Sequence, residues 1–225
     1  MTALLVLLTF SAFIAVDLLL GFRRAGRQEK VQPIRSVSEP TWVPEPVWVA
    51  GFRLPETLHY HRGHTWARVE DGDTVVVGLD DFAGKLIGDP QGIQIPDRGT
   101  WLRQGEKGFR VEASGRRADL VAPVEGEVTE INPQVLREPE LAVNDPYGRG
   151  WILKVRVRNL AANLRNLLSG SLARKWMQDA REGLEIRLMA LSGSVLQDGG
   201  EPVADFARHL SSEDWERIAG EFLLT

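Results

Sequence analysis

Between His59 and Arg158 the chain is written in short β-rich runs punctuated by Gly and Pro. Runs of this length and spacing point to packed antiparallel sheets, a sandwich or flattened barrel. Trp66-Ala67-Arg68-Val69-Glu70 alternates apolar and polar residues, Asp71-Gly72-Asp73 is a turn, and Thr74 to Leu79 is strongly β-forming, so the three together predict a hairpin. Asp81 to Ile87 reads as one or two helical turns stopped by Gly88. Further strands are expected at Gly92–Ile95, Gly108–Val111, Asp119–Val121, Gly126–Ile131 and Trp151–Val157. Pro96, Gly99, Gly105, Gly115, Pro123 and Pro133 fall between them.

After Asn159 the period becomes helical. Leu160, Leu164, Leu167 and Leu168 share a face, and Leu172, Trp176 and Met177 resume it beyond a Ser169-Gly170-Ser171 break. Gly183 reads as another stop, and Ser192 to Pro202 as a loop. A final helix starts near Ser212, with Ser211 placed to cap it, Glu213 and Asp214 in its first turn, and Trp215, Ile218, Ala219 and Phe222 as its apolar stripe.

The other end of the chain is of a different kind. Residues 2–22 are apolar apart from Asp17, and at 1.5 Å per residue the run spans roughly 30 Å, the thickness of a bilayer core. Arg23, Arg24, Arg27 and Lys30 follow and no basic residue precedes, so the run is expected to be one uncleaved transmembrane helix with its N-terminus outside and the remaining chain cytoplasmic. Residues 23–57 form a linker, first basic, then rich in Pro and Trp. Trp42 and Trp48 stand in it as candidates for contact with a membrane, with a partner or, as the simplest expectation, with the chain's own domain. Net charge is −4, which gives no basic field for nucleic acid, and the absence of cysteine removes disulfides, thiolate metal sites and cysteine nucleophiles.

Five segments in order resemble the H protein of the glycine cleavage system. They are Tyr60-His61-Arg62-Gly63-His64-Thr65-Trp66, Val77-Gly78-Leu79-Asp80-Asp81-Phe82-Ala83, Leu86-Ile87-Gly88-Asp89, Val121-Ala122-Pro123-Val124-Glu125-Gly126-Glu127-Val128 and Asn144-Asp145-Pro146-Tyr147-Gly148-Arg149-Gly150-Trp151. The resemblance covers residues 58–180 and leaves 181–225 as a C-terminal extension with a terminal helix. It implies a mainly β fold, the lipoyl-domain-like hybrid barrel-sandwich, with C-terminal helices and here preceded by the transmembrane helix. In that family a lysine at the tip of a tight β-hairpin carries lipoate, in a stretch close to V-E-S-V-K-A-A-S-D-L. This chain reads Val111-Glu112-Ala113-Ser114-Gly115-Arg116-Arg117-Ala118-Asp119-Leu120. Val111-Glu112 and Asp119-Leu120 hold the register without a gap, which places Gly115 at the lysine position. Glycine forms no lipoyl amide, guanidinium is a poor acyl acceptor, and no lysine lies between Lys107 and Lys154. The hairpin is expected to persist because glycine accepts positive φ, with Ser114, Gly115, Arg116 and Arg117 as a small basic prong open to a partner.

His59, His61 and His64 form an H-x-H-x-x-H group without an obvious fourth ligand, so no metal site is expected. Asp80, Asp81 and Asp89 fall at positions that the resemblance assigns to turns and caps. Nucleophile triads, phosphate-cradling loops and dinucleotide fingerprints are absent. The expected function is therefore non-catalytic: a membrane-anchored, non-lipoylated interaction or scaffold module, a subunit or assembly factor of a membrane complex that binds other proteins, needs no cofactor and is not an enzyme. The alternative is a lipoyl carrier or a regulator in the glycine cleavage system.

Overall fold

The computed structural model describes residues 47–192 and 210–224. The apolar run at residues 2–22 and Trp42 lie outside them. Among the described residues no helix is long and apolar enough to cross a membrane.

The described chain opens with two short paired strands, β1 (Trp48–Val49) and β2 (Phe52–Arg53), joined by Ala50 and Gly51 at positive φ. β3 (His59–Tyr60), β4 (Thr65–Asp71) and β5 (Thr74–Leu79) form a meander, and α1 (Asp81–Ile87) follows. The Asp80 carboxylate accepts from the Ala83 amide at 2.8 Å and caps α1, and Gly88 ends it at a φ of 79°. Next come β6 (Pro90–Gln94), β7 (Trp101–Leu102), β8 (Lys107–Ala113), β9 (Arg116–Val121) and β10 (Gly126–Ile131). Two short helices, α2 (Pro133–Arg137) and α3 (Leu141–Asn144), lead to the last strand, β11 (Leu153–Arg156). The helical end comprises α4 (Leu160–Arg165), α5 (Gly170–Ser192) and α6 (Ser212–Leu223).

The strands make a six-stranded antiparallel sheet in the order β3-β4-β5-β11-β10-β7 and a three-stranded sheet in the order β6-β8-β9. One apolar core joins them: Trp66, Val75, Val77, Leu153 and Val155 from the large sheet, Phe109, Val111, Ala118 and Leu120 from the small one. This is the mainly β, sandwich-like architecture with C-terminal helices that the strand pattern predicts.

Two segments are more deeply built into the fold than their composition suggests. The linker expected over residues 23–57 is folded from Val47 onward: Val49, Phe52 and Leu54 are buried, and the Phe52 ring lies 5.1 Å from that of Phe82. The reason is the alternation of Val47, Val49, Phe52 and Leu54, which supplies an apolar face despite the surrounding prolines. Trp48 points the other way, 62% exposed, with the Lys85 ammonium 5.6 Å above its ring. At the other end α5 runs unbroken through Gly183, where a stop was expected, and past residue 180, where the extension was expected to begin. Ala173, Met177, Ala180 and Leu184 form its buried stripe, and a Cβ at Gly183 would meet the Phe222 ring at 3.7 Å.

If residues 47–57 belong to the core, Phe52→Ala costs about 3–5 kcal/mol. Urea unfolding of the two proteins measures this; a change below roughly 1 kcal/mol would mean that the segment is only laid against the surface.

Candidate functional site

The site that the sequence singles out is the β8–β9 hairpin. Its ladder pairs Val111 with Ala118, Glu112 with Arg117 and Ala113 with Arg116. Only Ser114 and Gly115 remain for the turn, at φ values of 51° and 74°. Two consecutive left-handed residues define the hairpin turn whose twist matches the flanking strands, and glycine takes that conformation without strain. Both turn residues are exposed, and a Cβ built on Gly115 has nothing within 4 Å. The tip is an open turn without a lysine.

The two arginines do not form one prong. Because Arg116 and Arg117 are both in β9, strand alternation sends them to opposite faces. Arg117 is exposed, with Nε 3.8 Å from Glu112. Arg116 is half-buried: it donates to the Leu210 carbonyl, and its guanidinium carbon sits 5.5 Å over the Trp215 ring of α6.

On the outer face of the hairpin, Asp119 accepts from Arg110 Nε at 2.5 Å and from Lys107 Nζ at 2.7 Å, and Gln94 Nε2 donates to Glu112 at 2.8 Å. The Arg110 hydrogen bond holds the Asp119 carboxyl below the usual carboxylate range; partial burial opposes this and Lys107 reinforces it.

A lipoyl amide needs a lysine that is free at an exposed tip. The hairpin offers none, and Lys107 is the first residue of β8, at the base. The other lysines among the described residues are also engaged. Lys85 donates to the Gly51 carbonyl at 2.7 Å and lies 3.3 Å from Asp81. Lys154 is 2.7 Å from Glu70 and 3.2 Å from Glu130, and Lys175 is 2.6 Å from Asp179. Among the described residues, no lysine fits the group.

The histidines do not converge. His64 Nδ1 lies 2.8 Å from the Asp80 carboxylate, in the core, with its ring stacked on Phe82 at 3.9 Å. His61 Nδ1 accepts from the Gly63 amide at 3.1 Å, and burial holds His59 below the usual imidazole range. Among the described residues no group of three or more His, Cys, Asp or Glu is placed to hold a metal. Asp81 pairs with Arg53 at 2.7 Å and receives the Arg53 amide at 2.9 Å, while Asp89 is exposed. Tyr147, from the Asn144–Trp151 segment, donates to the Arg53 carbonyl at 2.6 Å and accepts from the Asp81 amide at 3.0 Å. Burial raises the Tyr147 phenol well above its usual range, so it stays protonated as the donor this contact requires. These residues tie the first strands to α1. Sequence reasoning left out Arg53 and the α6 contact; Trp215 in the first turn of a capped amphipathic helix was the available signal for the second.

A family model described as the glycine cleavage H-protein matches residues 58–180. A probable glycine cleavage system H protein of Aeropyrum pernix is 42% identical over 115 residues, which are 50% of this chain and 80% of that protein. The glycine cleavage system H protein of Mycobacterium avium is 43% identical over 109 residues, 48% of this chain and 83% of that one. That of Carboxydothermus hydrogenoformans is 39% identical over 129 residues, 57% of this chain and 98% of that one. A crystal structure of the H protein from Mycobacterium marinum is similar at 28% identity with a TM-score of 0.49, covering 58% of this chain and 99% of that one. Residues 58–180, which include the hairpin described above, thus match a recognised protein family. The chain belongs to the glycine cleavage H-protein family.

Asp119→Asn is expected to lower stability by about 1 kcal/mol at neutral pH. Because the folded carboxyl titrates below its unfolded value of about 3.9, the contribution is complete above that pH and is lost as the pH falls through the folded value. The gap between wild-type and variant urea midpoints therefore closes on acidification. A gap that stays constant down to pH 2 would contradict the pairing.

Proposed function

We propose that this chain acts on the glycine cleavage system as a non-catalytic H-protein-family module: it presents the family's surface to the system's other proteins and carries no lipoyl group itself. The observation that carries this is a complete hairpin with glycine at the tip. A hairpin that had simply decayed would not retain a two-residue turn, a ladder continuous from the Phe109–Leu120 pair to the Ala113–Arg116 pair, and a paired Asp119. The names of the relatives favour this setting over an unrelated membrane complex. Loss of the acceptor favours a regulator over a carrier.

The apolar run at residues 2–22 and the basic residues behind it support a second element of the proposal, a single membrane anchor that keeps the module at the cytoplasmic face. Anchoring raises the module's concentration near any partner that visits that surface.

The test is a competition. Added to a glycine cleavage system assembled with a lipoylated H protein, the purified chain is expected to slow glycine-dependent turnover in proportion to its concentration, and to support none in place of that H protein. Turnover sustained by this chain alone would overturn the proposal, as would an absence of inhibition at large excess. For the anchor, the full chain is expected to stay in the pellet after an alkaline carbonate wash of membranes. Release into the wash would remove that element.

A further inference from the structure

The strongest unexplained feature is the contact between the hairpin and α6. α6 lies along β9 and is fixed at both ends. At its start, Arg116 reaches back to the Leu210 carbonyl and lies over Trp215, and Trp215 Nε1 donates to the Arg117 carbonyl at 3.4 Å. At its end, the Leu223 carbonyl packs on the loop after β3. A Cβ at Gly63 would come within 2.8 Å of that oxygen and 2.6 Å of Val121, so only glycine admits the helix end. Along its length Trp215, Ile218, Ala219, Phe222 and Leu223 are buried, and the Phe222 ring is 5.5 Å from Phe82. Arg187 of α5 forks onto Glu221 at 2.8–3.0 Å.

α6 lies beyond the part of the chain shared with the family. The family match ends at residue 180 and α6 begins at Ser212. Since 129 residues of this chain cover 98% of the Carboxydothermus hydrogenoformans H protein, that relative has almost no length left for a counterpart. The added helix therefore meets the hairpin at the arginine next to the tip glycine.

We propose that the hairpin of this chain is an intramolecular seat for α6, with Arg116 and Trp215 as the latch, so that the face of β9 beside the tip is occupied by the chain's own C-terminal helix. A macromolecule approaching that face meets the outer surface of α6 and not the strand. The tip contributes Ser114, Gly115 and Arg117 to any outside contact, and Arg116 faces the helix. This concerns the same hairpin as the proposed function but does not require the chain to meet glycine cleavage proteins, and the two can fail separately.

Hydrogen–deuterium exchange on the full chain tests the latch. In Arg116→Ala and in Trp215→Ala, amides from Ala113 to Ala118 are expected to exchange about tenfold faster than in the wild type, while β4, β5 and β11 stay within about twofold. Trp215→Phe keeps the ring but loses the indole donor, and is expected to fall between. Should Trp215→Ala fail to fold, Arg116→Ala carries the test, because that side chain is only half-buried. Hairpin exchange unchanged in Arg116→Ala would overturn the proposal, as would a rise shared equally by the core strands.

Discussion

The geometry of the hairpin depends on one cross-strand pair, Ala113 with Arg116. That pairing leaves two residues for the turn, forces both to positive φ and sets Gly115 at the tip. It also decides which face every neighbouring side chain takes. Ala113, Val111, Ala118 and Leu120 go to the core, while Asp119, Arg110 and Arg117 go outward. A slip of one residue would exchange those sets, burying charges and exposing the apolar side chains. The apolar face thus protects the register, and the register is what sets Gly115 at the tip.

The same register explains why the charges around the tip act differently. Arg117 remains on the surface, Asp119 is held as a carboxylate by Arg110 and Lys107, and Arg116 is committed to the Leu210 carbonyl and Trp215. The turn itself stays open, while β9 beside it is part of a packed surface. The helix that packs there brings five buried residues and a bidentate ion pair, so it is integral to the folded unit. The boundary at residue 180 marks where the family resemblance ends and is not a break in the structure, because α5 crosses it as a continuous helix.

Much of this was legible in local pattern. α1 spans Asp81–Ile87 and β10 spans Gly126–Ile131, as read from a capping aspartate, a terminating glycine and a β-branched alternation. The β4–β5 hairpin follows from its Asp-Gly-Asp turn. What escaped was either too short to show a period or depended on distant residues. β1, β2 and β7 have two residues each, too few to stand out as strands among the neighbouring Pro and Gly residues. Gly183 looks like a stop, yet α5 continues through it, held by its buried stripe of Ala173, Met177, Ala180 and Leu184. The arginines looked like a pair because β9 was expected to start at Asp119; starting it at Arg116 separates them by the pleat alone. The latch joins Arg116 to Trp215 far along the chain, a contact that no window of local sequence contains.

The central claim is that an H-protein fold has been kept while its acceptor has been lost. Intact-mass spectrometry of the chain, purified from cells that lipoylate their own H protein, addresses it directly. The account predicts a protein mass without a lipoyl increment, alongside a modified H protein from the same cells. A lipoyl increment on this chain, mapped to any of its lysines, would contradict it.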